Sequence, residues 1–267
     1  MNTVEKIINS EKLFLIAGPC VIEDVETTFN IAKQIKLIAE KLNIQFIFKA
    51  SYKKENRSKL NSFTGPGIEK GLHILQQIKQ ELNLKITTDV HNSNDVKKVS
   101  KIVDIIQIPA FLCRQTDILV SAAKTKKYIN VKKGPFLSGE SSQFIIDKIR
   151  QAGNNNICIT ERGNSFGYNN LVVDMRNIPI MQNYQVPVIF DATHSNQKPN
   201  QKSGVSGGTP QFIETLASSA VAAGTNGVFL ETHPNPKIAL SDGSNMLNIS
   251  NLEPLLKKLV RIKQAIV

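Results

Sequence analysis

Four residues of this chain, Cys20, His194, Glu231 and Asp242, join a thiolate, an imidazole and two carboxylates. Such a donor set could hold a borderline divalent cation such as zinc, ferrous iron or manganese. No dense local spacing ties them together. His194 reads equally as a hydrogen-bonded polar residue at a strand end, and Asp242 as the turn residue of Ser241-Asp242-Gly243. A second set is cationic: Lys49, Lys54, Arg57, Lys132, Lys133 and Arg162. Arginine offers a planar fork for carboxylate or phosphate, and lysine a mobile point charge. Two phosphorylated or carboxylated ligands could be held at once, and a water-poor cationic mouth beside a metal suits carbonyl or phosphate-ester chemistry.

Both sets need elements that bring them together, and the hydrophobic pattern supplies them. Eight short apolar runs each end on polar residues. Phe14–Ala17 precedes Gly18-Pro19-Cys20, Phe46–Phe48 precedes Lys49, Ile86–Thr88 precedes Asp89, and Ile105–Ile106 precedes Gln107. Ile129–Val131 precedes Lys132-Lys133, Ile157–Thr160 precedes Glu161-Arg162, Val188–Phe190 precedes Asp191, and Val228–Leu230 precedes Glu231. Nearly continuous apolar runs of this length are the signature of buried parallel strands.

The intervals carry helical periodicity, as in Val25, Phe29, Ala32, Ile35, Ile38 and Leu42, or Ile68, Leu72, Leu75, Ile78 and Leu82. Further helices are expected from Asn94-Asp95 to Ser100, from Thr116 to Lys126, and over Ser141–Ala152, Thr209–Ala223 and Leu252–Val267. Eight alternating strands and helices predict a single-domain (β/α)8 barrel over 1–267, whose chemistry collects at the C-terminal ends of the strands. Closure would bring strands one, seven and eight together, which favours the metal set over the separate readings of His194 and Asp242. Two long polar loops, 50–67 and 195–208, fall on the same rim and are read as functional. Gly207-Gly208 before a helix could add backbone N–H groups for an anion.

A length of 267 residues suits either two small domains or one barrel, and no interdomain linker is evident. No apolar run approaches the roughly 20 residues of a membrane span. Leu13–Ile22 is interrupted by Gly18-Pro19 and fits a first strand better than a signal core. Three cysteines without CxxC spacing argue against a disulfide framework and for a reducing cytoplasm. Cys158 and Cys113 read as small buried hydrophobes. The net charge of +11 raises the question of nucleic acid. Of 33 basic residues, however, six are arginine, and aromatics, at 6%, are not interleaved with them. A solvated lysine-rich surface and anionic small substrates are the better reading; no nucleic-acid or membrane partner is expected.

The motifs themselves are recognisable. Leu15-Ile16-Ala17-Gly18-Pro19-Cys20, Phe48-Lys49-Ala50-Ser51-Tyr52, Lys54-Glu55-Asn56-Arg57-Ser58 and Gln107-Ile108-Pro109-Ala110-Phe111-Leu112 resemble the 3-deoxy-D-manno-octulosonate 8-phosphate synthases. So do Asn130-Val131-Lys132-Lys133-Gly134, Glu161-Arg162-Gly163, Asp191-Ala192-Thr193-His194-Ser195 and Glu231-Thr232-His233-Pro234. The resemblance is collinear from about Leu13 to the last helix.

The resemblance implies a homotetrameric barrel enzyme of lipopolysaccharide inner-core synthesis. It would condense phosphoenolpyruvate with arabinose 5-phosphate and release inorganic phosphate. By position, Lys54, Lys133 and Arg162 would hold phosphoenolpyruvate with Gln107 nearby. Asn56, Arg57 and Ser58 would receive the sugar phosphate, and Lys49 would lie at the floor. Lys54, Lys133, His194 and Asp242 would be catalytic. Cys20 and Ser241-Asp242-Gly243 resemble the metal-requiring branch, whose ligand positions match Cys20, His194, Glu231 and Asp242. One departure is Glu55, where the family usually has alanine. Asp89 and His233 sit on the correct rim without an assigned role. The nearest rival is a 3-deoxy-D-arabino-heptulosonate 7-phosphate synthase using erythrose 4-phosphate, but Asn56 in the Lys54–Ser58 motif favours the five-carbon sugar.

Overall fold

A computed structural model describes residues 3–202 and 204–266. Residues 1, 2 and 267 of the expected domain, and Ser203 of the 195–208 loop, lie outside the described residues. Eight parallel strands form the barrel: Phe14–Gly18, Gln45–Lys49, Lys85–Asp89, Ile105–Ile108, Tyr128–Lys132, Ile157–Glu161, Val188–Asp191 and Gly227–His233. Each pairs with the next, and the first closes on the eighth through Phe14↔Gly227 to Gly18↔Glu231. This is the expected (β/α)8 barrel. Helices Val25–Lys41, Ile68–Glu81, Ser93–Val99, Thr116–Lys124, Ser142–Gln151, Asn177–Gln182, Ile213–Ala222 and Leu252–Ala265 surround it.

Strand alternation sends successive side chains to opposite sides of the sheet. Outward residues such as Leu15, Phe48, Ile106, Val131 and Leu230 pack with helix residues including Ile31, Leu75, Leu119, Ile146 and Leu256. The inward residues Phe14, Ile16, Ile47, Ile105, Cys158, Ile189 and Phe229 fill the lower barrel. A short helix, Thr3–Ile8, plugs the bottom by adding Val4, Ile7 and Ile8 to that cluster. Gly227 leaves room for this filling, because a Cβ there would lie 2.5 Å from the Phe14 ring. At the top, Gly18 permits a close approach of strands one and two, since its Cβ would meet the Lys49 carbonyl oxygen at 1.9 Å.

Several boundaries differ from expectation for local reasons. Asn92, rather than Asn94-Asp95, caps the short fourth-strand-side helix, its Oδ1 accepting from the Asp95 backbone N–H at 3.0 Å. The helix expected from Thr209 opens with a 3-10 turn at Pro210–Phe212 and becomes α-helical at Ile213. Gly207-Gly208 pairs with Gln197-Lys198 in a two-stranded ribbon, so it is not a helix start. The two six-residue helices, Thr3–Ile8 and Asn177–Gln182, and the hairpin Asn164–Phe166 with Asn170–Val172 were not expected. Elements this short give too few repeats for periodicity to register. Among the described residues, no helix is long and apolar enough to cross a membrane.

Candidate active site

Above the apolar filling, the same inward positions turn polar. Lys49, Asp89, Gln107, Asn130, Lys132, Thr160, Arg162, Asp191 and Glu231 are all buried at the upper end of the barrel. They form connected hydrogen bonds. The Thr160 hydroxyl donates to Asn130 Oδ1 (2.7 Å), Asn130 Nδ2 to Gln107 Oε1 (3.0 Å), and Gln107 Nε2 to Asp89 Oδ1 (2.7 Å). The Ser51 hydroxyl donates to the other oxygen of Asp89. Buried polar groups satisfied in this way hold a fixed arrangement. A cavity of about 350 Å3 opens over this layer, walled by the 50–67 and 195–208 loops.

Lys49 is the floor. Its ammonium donates to Glu231 Oε1 and to the Cys20 carbonyl, both at 2.9 Å, and lies 3.7 Å from Asp89 Oδ2. Lys54 stands above it, 4.0 Å from both Asp89 Oδ2 and Glu231 Oε1. Burial opposes the Lys54 charge, but Cys20, Glu231, Asp89 and Asp242 outweigh it and hold its pKa well above the ordinary value. Arg57 reaches across the mouth, donating to the Ser241 hydroxyl at 2.7 Å and lying 4.0 Å from Asp242 Oδ1. Asn56 and Ser58 line the same wall and are exposed. On the far side Arg162 Nη2 donates to Gln197 Oε1 at 2.7 Å, which ties strand six to the 195–208 loop.

Lys132 and Lys133 part company. Lys132 lines the cavity, with its ammonium 2.5 Å from Asp191 Oδ2 and 3.4 Å from the centroid of the Phe229 ring. Lys133, expected to bind substrate and act in catalysis, points the other way. Its fully buried ammonium donates to the Leu137 carbonyl and Asn164 Oδ1, both at 2.9 Å, and does not line the cavity. Adjacent strand residues face opposite sides, so Lys132 and Lys133 cannot both look inward.

The metal set is brought together unevenly. Ligand atoms of Cys20, Glu231 and Asp242 all lie within 4.8 Å of one another. The thiol donates to Asp242 Oδ2 at 3.1 Å and to Ser241 Oγ at 3.2 Å. Burial, then the charges of Asp242 and Glu231, push the Cys20 pKa well up. His194 stands beside this trio, with Nε2 3.5 Å from Glu231 Oε2. Its Nδ1 bonds Asp191 Oδ2 at 2.8 Å, which assigns the tautomer that leaves the Nε2 lone pair facing Glu231. Glu231 Oε2 is buried without a hydrogen-bond partner among the described residues. An orphaned carboxylate oxygen, a thiol and a second carboxylate grouped in this way, with the His194 ring beside them, fit a divalent cation.

Asp191 and Asp89 are the functional residues that sequence reasoning left without roles. Asp191 accepts from Lys132, from His194 Nδ1, and from the backbone N–H groups of Thr193 and His194. Burial would raise both carboxyls, but the His194 and Lys132 partners of Asp191, and for Asp89 chiefly Lys49, hold them far below the carboxylate range. Counting alternate positions along each strand would have marked them, because each ends the inward face of its strand. His233 is buried near Glu23, its Nε2 3.9 Å from Oε2.

The chain matches the model of the DAHP synthetase I family over residues 3–267. It is 52% identical over 262 residues to a 2-dehydro-3-deoxyphosphooctonate aldolase of Koribacter versatilis, covering 97% of this chain and 94% of that protein. It is 53% identical over 254 residues to the protein of that name from Desulfosudis oleivorans, covering 95% and 91%. A third relative of the same name, from Campylobacter jejuni strain RM1221, is 50% identical over 267 residues, covering 96% and 98%. A barrel with a cationic cavity over a Cys–Glu–Asp cluster, matched along almost its whole length, thus belongs to the DAHP synthetase I family.

Proposed function

We propose that this chain condenses phosphoenolpyruvate with D-arabinose 5-phosphate and water, giving 3-deoxy-D-manno-octulosonate 8-phosphate and inorganic phosphate. The relatives' name describes an eight-carbon phosphorylated 2-keto-3-deoxy acid. An aldol disconnection of such an acid leaves a three-carbon enolpyruvate unit and a five-carbon aldose phosphate. The observation that carries the reading is that Lys54, Lys132 and Arg162 line one cavity together with Asn56, Arg57 and Ser58. Lys54, Lys132 and Arg162, with Gln107 close by, receive the carboxylate and phosphate of the enolpyruvate. Asn56, Arg57 and Ser58 receive the sugar phosphate. The four-carbon sugar of the heptulosonate synthases is disfavoured, since the relatives named here all carry the octonate name.

Cys20, Glu231 and Asp242, with His194 completing the set, would hold a divalent cation, with zinc, ferrous iron and manganese all suiting the donors. Such an ion supplies charge neutralisation at a developing oxyanion and orients an oxygen ligand. The protein's own part is to hold the anions in a dry, cationic mouth and to present the aldehyde to the enolpyruvate at fixed distance. His194, fixed by Asp191, is placed to move a proton at Nε2 when no cation claims it. The cytoplasmic location read from the cysteines and the homotetramer implied by the resemblance belong to this same reading.

The test is phosphate release from phosphoenolpyruvate in the presence of arabinose 5-phosphate, before and after chelation and metal add-back. Release should fall by about an order of magnitude or more with chelator and return with metal. Release that survives verified metal removal would keep the reaction and sink the metal. Release with erythrose 4-phosphate alone would transfer the chain to the rival activity.

Glu55, the departure in the Lys54–Ser58 motif, is half-exposed and ion-paired with Lys53. Its charge is thereby partly neutralised by its own neighbour and by solvent. Glu55→Ala is expected to lower KM for the sugar phosphate by no more than about twofold, the scale of an exposed charge. A tenfold fall in steady-state assays would show instead that Glu55 opposes the ligand directly.

A further inference from the structure

Strands five and six each run into a pair of charged residues, Lys132-Lys133 and Glu161-Arg162. The cavity-facing members, Lys132 and Arg162, are both cations. The members facing away, Lys133 and Glu161, are both fully buried and meet each other, ammonium to Oε1 at 3.4 Å. The Lys133 ammonium also gathers the two connections that follow these strands. It donates to the Leu137 carbonyl and Asn164 Oδ1 at 2.9 Å, and to the carbonyls of Gly134 and Gly163 at 3.4 Å. Glu161 Oε1 accepts from the Gly163 backbone N–H at 2.6 Å, and Asn164 Nδ2 donates back to the Leu137 carbonyl. The Lys133 backbone N–H completes the join by donating to the Thr160 carbonyl at 2.8 Å.

Stability alone does not account for this arrangement. Two desolvated charges are at best an even exchange against an apolar pair of the same volume. Glu161 moreover keeps a buried Oε2 without a hydrogen-bond partner among the described residues. What a many-partnered buried ion pair adds is fixed geometry. Here the geometry it fixes is that of the two neighbouring strand ends that carry these like-charged side chains.

We propose that Lys133 and Glu161 are positioning residues: a buried brace that sets the spacing of Lys132 and Arg162 and thereby the affinity of the site for its enolpyruvate anion. The substrate named here rests on the function proposed above. The brace itself makes no contact with substrate. It acts on one ligand only, because Asn56, Arg57 and Ser58 are carried by the loop after strand two and share none of its hydrogen bonds.

The test compares Lys133→Met, Glu161→Gln and the double variant by calorimetry and by separate KM values for the two substrates. Each single variant leaves one buried charge uncompensated and is expected to lose stability, whereas the double variant removes both charges and should melt within a few degrees of wild type. A purely structural pair predicts that the double variant also regains wild-type kinetics. The brace predicts that KM for phosphoenolpyruvate stays raised by about tenfold while KM for arabinose 5-phosphate moves less than about twofold. Recovery of KM together with melting temperature, or an equal rise in both KM values, would overturn it.

Should the double variant not fold, Asn164→Ala removes one acceptor of the Lys133 ammonium and leaves both charges in place. It should raise the same KM by about threefold and leave the other alone; no rise, or a rise in both, would overturn the brace. Should wild type not use these substrates, the functional reading falls separately, and the crystal structure of the double or Asn164→Ala variant decides the brace. Displacement of the Arg162 and Lys132 head groups by about 1 Å or more would support it, and head groups in their wild-type positions would overturn it.

Discussion

Lys132→Met is expected to lower kcat/KM for phosphoenolpyruvate by about a thousandfold, equivalent to ~4 kcal/mol of transition-state stabilisation, with the barrel still folded. The ammonium is buried at the cavity face between Asp191, His194 and the Phe229 ring. Burial lowers its pKa, against which Asp191 is the leading attraction. A cation held at the cavity face in this way is placed to meet an anionic ligand. Methionine keeps an unbranched stem of similar length and removes the ammonium over Phe229. Asp191 is not stranded by the change, because His194 Nδ1 and the backbone N–H groups of Thr193 and His194 still donate to it. Circular dichroism and melting temperature should therefore stay near wild type while turnover collapses. Near-normal turnover from Lys132→Met would mean that strand five does not present Lys132 to the substrate.

The contrast between Lys132 and Lys133 shows what was and was not legible in the sequence. The barrel was legible because its eight strands are almost wholly buried, so each appears as a short, nearly continuous apolar run. The site's location followed, since every run stops on a polar residue at the same end. Which of two adjacent lysines faces inward is a different matter. It depends on strand parity, and the motif Asn130-Val131-Lys132-Lys133-Gly134 carries both lysines without distinguishing them. Asn130, two residues before Lys132 and bonded to Gln107 inside the barrel, holds the missing information. The same parity would have promoted Asp89 and Asp191 from strand ends to centres of the polar layer.

The metal set was legible as a list of donors, but not as a geometry. Cys20, Glu231 and Asp242 converge because strands one and eight are hydrogen-bonded neighbours, through Gly18↔Glu231 at the relevant level. Asp242 is delivered by a turn in which it adopts a φ of 50°, a left-handed conformation that aspartate tolerates better than most residues. Nothing in residue order measures how far His194 stands from that trio.

Lys49→Met carries the largest expected loss of stability, about 3–5 kcal/mol, the scale for removing one partner of a buried ion pair. Lys49 is 1% exposed and is the nearest cation to Glu231, which is itself fully buried and whose second oxygen lacks a hydrogen-bond partner. For a barrel of this size the melting temperature should fall by about 10 °C. Asp89 suffers less, because Ser51 and Gln107 continue to donate to it. The loss should depend on pH in a definite direction. Burial would raise the pKa of Glu231 and of Asp89, but Lys49 heads the charges that override burial and hold both well below their ordinary values. A depressed carboxylate pKa stabilises the fold above the unfolded-state value, and that contribution disappears as the pH falls through the folded-state value. Methionine at position 49 forfeits the Lys49 share at once. The gap between wild type and variant should therefore be full at pH 7 and should narrow as the pH drops below about 4.5, where the unfolded glutamate takes up its proton. Calorimetry of chelator-treated protein at pH 7 and pH 4 measures this without a bound cation masking the carboxylates. A gap that stays constant across that range would assign the loss to missing contacts around the lysine stem, and the floor of the site would then be held by shape more than by charge.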